Sequence, residues 1–104
     1  MTDIPEAVVV VNEAFEGPDV ERWGRLIAGA LAMRPRRLVV DLRRSPRVDA
    51  AGIAVLLRTH REMVHAGGEL ILRGPAERVL RILRLSRLDQ VFAIESPQES
   101  SRVA

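Results

Sequence analysis

Leu38-Val39-Val40-Asp41-Leu42, then the irregular Arg43-Arg44-Ser45-Pro46-Arg47, then Val48-Asp49-Ala50-Ala51-Gly52-Ile53: this stretch decides how the 104-residue chain is read. The first five residues are too few for a helix and are mostly β-branched or aliphatic, so they read as a buried strand with a carboxylate near its C-terminal end. Asp49 then offers a side-chain oxygen to the unpaired N–H groups of a helix start. From Ala50 to about Ala66, residues Ile53, Leu56, Leu57, His60 and Val64 fall on one stripe, which is expected to face the core, and Gly67-Gly68 closes the helix.

The same grammar extends outward in both directions. Ala7 to Val11 is a second β-branched run and reads as a strand, ended by Gly17-Pro18-Asp19. Asp19 can cap a helix whose inward positions would be Trp23, Leu26, Ile27, Ala30 and Leu31, and Pro35 stops it. After the central helix come a short strand at Leu70 to Leu72, the turn Gly74-Pro75, and a helix from about Ala76 to Leu85 with Val79, Ile82 and Leu83 facing in. A last strand runs from Val91 to Ile94. Strand and helix alternate throughout. The expected fold is therefore a small α/β domain with about four strands, a mainly parallel sheet, and helices packed against it. Residues 1–95 form that domain, and 96–104 read as a polar C-terminal tail.

Composition removes several function classes. The chain has 16 basic and 14 acidic residues, a formal net charge of +2, so it makes no strong field for nucleic acid. All the basic residues are arginine, and Phe15, Phe92 and Trp23 are the only aromatics, which leaves little for base stacking. Arg78, Arg81, Arg84 and Arg87 recur every three residues around the last helix and read as a solvated face. With no cysteine there is no disulfide, thiol nucleophile or cysteine zinc site. His60 and His65 stand about 140° apart around a helix, so no metal site is expected. His60 instead reads as a core-edge histidine. No phosphate-loop motif is present, and a receiver-type phosphoacceptor role for Asp41 lacks its acidic partners and a lysine. No cofactor and no enzymatic activity are expected. Neither a secretory signal nor an apolar run of about 20 residues appears, so direct membrane insertion is not expected and a cytoplasmic location is.

Sites in open α/β sheets lie outside the carboxyl ends of the strands, which points to residues 41–52. On the central helix, Ala51 and Val55 are expected to point outward, with Arg58 and Thr59 nearby, as a small apolar docking patch.

Four pieces in order, Leu38-Val39-Val40-Asp41-Leu42, Val48-Asp49-Ala50-Ala51-Gly52-Ile53, Ala66-Gly67-Gly68-Glu69-Leu70 and Val79-Leu80-Arg81-Ile82-Leu83-Arg84-Leu85-Ser86-Arg87-Leu88, resemble a STAS domain, the family of bacterial anti-sigma-factor antagonists. The phrase Leu88-Asp89-Gln90-Val91-Phe92 resembles the antagonist branch. The resemblance implies a non-enzymatic interaction module in transcription regulation, whose partner is an anti-sigma factor of the serine-kinase type. In that family the helix start carries a hydroxyl that the partner phosphorylates to release itself. Here the matching position is Ala50 and the next is Ala51, so the resemblance implies a variant without the usual switch. The implied contact residues are Ser45, Arg47, Asp49, Ala50, Ala51, Gly52, Val55 and Arg58, with the two arginines setting register on an acidic partner. Two other readings stay open: an accessory subunit of a phospholipid-transport ABC complex, which Arg47-Val48-Asp49 also resembles, and a domain sensing a nucleotide or small anion at the same helix start. Members usually have a further N-terminal strand and a C-terminal helix. Only six residues precede Ala7 here, so the sheet is expected to have a barer edge or face, which allows a homodimer.

Overall fold

In the computed structural model, which describes residues 4–96, the chain runs β1 (Glu6–Val10), α1 (Asp19–Ala32), β2 (Arg37–Asp41), α2 (Ala50–His65), β3 (Glu69–Arg73), α3 (Glu77–Leu85), a single 3-10 turn (Leu88–Gln90) and β4 (Ala93–Glu95). Apart from Ser96, the expected polar tail lies outside the described residues. The four strands are all parallel and stand in chain order, β1-β2-β3-β4, with Val8, Val39, Ile71 and Ala93 in one register row.

That order has a geometric consequence. Parallel strands need crossovers of one hand, and successive same-handed crossovers between sequential neighbours put every helix on the same face. Packing agrees: Trp23 and Ile27 of α1, Leu56 and Met63 of α2, and Val79 and Leu83 of α3 share one core cluster with Leu38, Val40, Leu70 and Leu72. Val39 and Ile71, on the opposite pleat, are buried but lie outside it. The molecule therefore has two layers, and among the described residues no helix covers the second face of the sheet.

The strands sit where the β-branched runs put them, with β1, β2 and β3 each starting one residue earlier than expected. β4 is shorter: Val91 and Phe92 are taken into the turn after Leu88, where both their N–H groups donate to the Leu88 carbonyl, and Phe92 is buried. In α1 the inward positions are Val20, Trp23 and Ile27, while Leu26 is 51% exposed. In α3, Val79 and Leu83 are buried and Ile82 only partly.

The largest departure concerns α2. Its buried residues are Gly52, Val55, Leu56, Thr59 and Met63, the expected stripe moved back by one position. Since one residue is about 100° of helix rotation, α2 is turned by roughly a quarter turn from the hydrophobicity-based expectation. Val64, expected inside, is 55% exposed, and Val55, expected outside, is 9% exposed. Close approach of α1 explains the turn: a β-carbon on Gly24 would sit 3.8 Å from a Val55 methyl, so Val55 fills the seam between the helices. Gly67, at φ +83°, ends α2 in the left-handed region as expected, and the Gly68 N–H donates back to the Met63 carbonyl at 2.8 Å.

Candidate functional site

The loop from β2 to α2 is locked to the loop from β1 to α1. Phe15 and Val48 form a parallel bridge, in which the Phe15 N–H donates to the Arg47 carbonyl at 2.8 Å and the Asp49 N–H donates to the Phe15 carbonyl at 3.3 Å. Asp49 caps α2: one carboxylate oxygen accepts from the Gly52 N–H and the other from the Gly17 N–H, both at 2.9 Å. Those two main-chain donors hold its carboxyl below the usual carboxylate range. Gly52 completes the clamp by being absent beyond its α-carbon, since a β-carbon there would lie 2.6 Å from the Phe15 carbonyl oxygen and 2.9 Å from a Val48 methyl. Asp49 and Gly52, at this spacing, thus act on the backbone.

The clamp sorts the sequence-derived contact residues into two groups. Ala50, Ala51, Arg47 and Arg58 are exposed, and Asp49 is partly so. Ser45 is fully buried: its N–H donates to the Leu42 carbonyl and its hydroxyl faces the Arg47 carbonyl at 3.5 Å, so it shapes the turn and has no outward surface. Val55 is buried, which corrects its expected outward placement, and Gly52, expected as a contact residue, is buried as well. Thr59 is 4% exposed and its hydroxyl donates to the Val55 carbonyl at 2.8 Å. Arg47 meets the Glu16 carboxylate at 2.8 Å, so its charge is shared inside the chain at the tip.

Between α1 and α2, directly beside the exposed alanines, runs an open groove of about 620 Å3. Ala51, Ala54, Val55 and Arg58 form one wall, and Val20, Gly24 and Arg25 belong to the other. The α1 wall was missed from the sequence. Its signal was present as small residues: Gly24 on α1 and Ala51, Ala54 on α2 mark helices that lie close enough to leave a shallow trough.

At the carboxyl end of β2, Asp41 is buried beneath Arg43, whose guanidinium lies 2.7 Å from it and whose main-chain N–H also donates to it. Burial pushes the carboxyl up, but those donors outweigh burial and keep it below its ordinary range. Asp41 is therefore a closed ion pair. His60 lies edge-on to Phe92, ring centroids 5.8 Å apart, at the core edge where the sequence puts it.

Comparison with known proteins supplies the family. The model for the family described as Mlab, STAS domain, matches residues 5–95. The chain belongs to the STAS family. A STAS-domain containing protein of Pseudomonas aeruginosa is 41% identical over 69 residues, covering 62% of this chain and 63% of the length of that relative. Two solved structures share the fold. A crystal structure of a candidate anti-sigma factor antagonist from Thermotoga maritima has a TM-score of 0.79 at 20% identity, covering 90% of this chain and 83% of that one. The NMR structure of the same Thermotoga protein has a TM-score of 0.75 at 18% identity, covering 94% and 80%.

In this STAS domain, residues 45–60 contain two hydroxyls, Ser45 and Thr59, and both are buried and turned onto main-chain carbonyls. The exposed tip of α2 offers methyl groups. No helix among the described residues is long and apolar enough to cross a membrane.

Proposed function

We propose that this STAS domain is a non-enzymatic docking module that binds an anti-sigma factor of the serine-kinase type in the cytoplasm through the α2 tip and the adjoining groove. Ala50 and Ala51 supply apolar contact at the tip, and Ala54 and Val55 floor the groove. Arg58 flanks it with charge for an acidic partner segment, while Arg25 on the opposite wall is paired with Glu21 at 2.9 Å. Asp49 and Gly52 hold the platform rigid, and Ser45 shapes its turn. The observation that carries this reading is an exposed apolar helix tip beside a groove, in a stretch without one exposed hydroxyl. A methyl cannot form a phosphoester, so the partner cannot release itself by phosphorylating position 50.

The family match to the Mlab model favours a second reading, an accessory subunit of a lipid-transport ABC complex, which would use the same surface. Affinity capture from the native host, followed by mass spectrometry, separates the two. Recovery of a serine-kinase anti-sigma factor supports the first reading and recovery of transporter subunits the second. Capture that is unchanged by Ala54→Arg contradicts the docking surface in both.

A further inference from the structure

At the amino ends of the strands, at the opposite end of α2 from its capped tip, α1 and α2 run out beside a half-open cavity of about 610 Å3. That volume lies within the usual range for small-molecule sites, roughly 300–1,000 Å3. Its floor is apolar: Leu31 is partly buried, Pro35 is buried and Met63 is 1% exposed. Gly68 lets that floor close, since a β-carbon there would lie 2.8 Å from both the Arg36 carbonyl oxygen and the terminal methyl of Met63.

Two charged side chains of opposite sign stand over this floor. Arg36 and Glu62 both line the cavity and are exposed, yet they do not close on each other, and among the described residues neither side chain forms an ion pair or hydrogen bond. Other arginines of the surface do find a glutamate: Arg25 meets Glu21 at 2.9 Å and Arg47 meets Glu16 at 2.8 Å. Arg34, also in the lining, has an interaction of its own. The helix ends add to the negative side. α1 stops at Ala32 and α2 at His65, next to lining residues of the cavity, and a helix C-terminus carries a partial negative charge that favours a cation.

We propose that this cavity binds a free α-amino acid with a large apolar side chain, its carboxylate on Arg36, its ammonium on Glu62 and its side chain on Leu31, Pro35 and Met63. The pairing of charges selects the class. A simple anion on Arg36 would stand beside the Glu62 carboxylate and two negative helix ends, and a simple amine on Glu62 would stand beside the Arg36 guanidinium. An uncharged apolar molecule would cover both heads and satisfy neither. A zwitterion answers both at once, with charge-assisted hydrogen bonds at each end. This site is separate from the α2 tip, so it holds or fails independently of which protein docks there.

Isothermal titration of the full chain with L-phenylalanine, paired with thermal unfolding, tests it. The expected result is saturable binding, with Tm raised by about 6 °C at about ten times the dissociation constant. Hydrocinnamate, which lacks the ammonium, and phenethylamine, which lacks the carboxylate, should each bind about tenfold more weakly or worse. Arg36→Met should weaken phenylalanine about tenfold and leave phenethylamine unchanged, and Glu62→Gln should weaken phenylalanine and leave hydrocinnamate unchanged. Both side chains are exposed, so both variants keep the unliganded thermal transition. No binding and no rise in Tm with phenylalanine or leucine up to about 50 mM overturns the proposal. So does either analogue binding as well as phenylalanine, or both variants binding phenylalanine as the parent chain does.

Discussion

Replacing Gly52 with alanine sets two effects of opposite sign against each other. In an ordinary helix interior, Gly→Ala stabilises by up to about 1 kcal/mol. Here the new methyl would lie 2.6 Å from the Phe15 carbonyl oxygen and 2.9 Å from a Val48 methyl. Phe15 cannot retreat freely: it is fully buried, bridges Val48, and its carbonyl accepts the Asp49 N–H. Overpacking against such fixed neighbours costs about 3 kcal/mol, so the net expectation is a loss of about 2 kcal/mol. For a domain of this size that is a fall in Tm of about 8 to 16 °C. Urea unfolding followed by fluorescence of Trp23, the single tryptophan and 6% exposed, reads the change directly. An unchanged or raised midpoint would mean that helix propensity wins and that the β1–α1 loop does not sit against α2 as described.

Further expectations follow from the same geometry. The carboxyls of Asp49 and Asp41 are both held below their ordinary range in the folded chain, so the stability they contribute is complete above about pH 4 and is lost as pH falls through the lowered folded values. Urea midpoints at descending pH should show this, and Asp49→Asn should flatten the slope while lowering the midpoint at neutral pH. Ala50→Ser, at an exposed first-turn position, should shift stability by no more than about 0.5 kcal/mol. With ATP and a cognate anti-sigma kinase it should gain one phosphoryl group at residue 50 by mass spectrometry, which the parent chain does not. Ala54→Arg should fill the groove and remove partner capture while the thermal transition stays in place.

The alternation of elements was legible because each strand is a short aliphatic run between breakers. Asp49 also declared its cap openly, as the last polar residue before a periodic stretch. The face of α2 was not legible. Ile53, Leu57 and Val64 outweigh Gly52 and Thr59 on any hydrophobicity count, yet the true inward face includes those two small residues. Gly52 must admit a carbonyl, and Thr59 satisfies its hydroxyl on its own helix. Ser45 misled for a related reason: a serine in an arginine-rich loop looks solvated, but turn geometry pulls it under the chain. The groove was hidden because one of its walls lies on α1, about thirty residues from the other, and no local pattern announces that Gly24 packs beside Val55. The helix-free sheet face needed strand order as well as pattern, since Val39 and Val40 look alike in sequence and face opposite layers.

The α2 tip is proposed as a grip that a kinase cannot cancel. Its most direct measurement is the affinity of the chain for the captured anti-sigma factor by isothermal titration, before and after incubation of the mixture with Mg-ATP. Equal affinity and no phosphate on residues 45–60 are expected. Loss of binding after ATP, with phosphate mapped to that stretch, would contradict it.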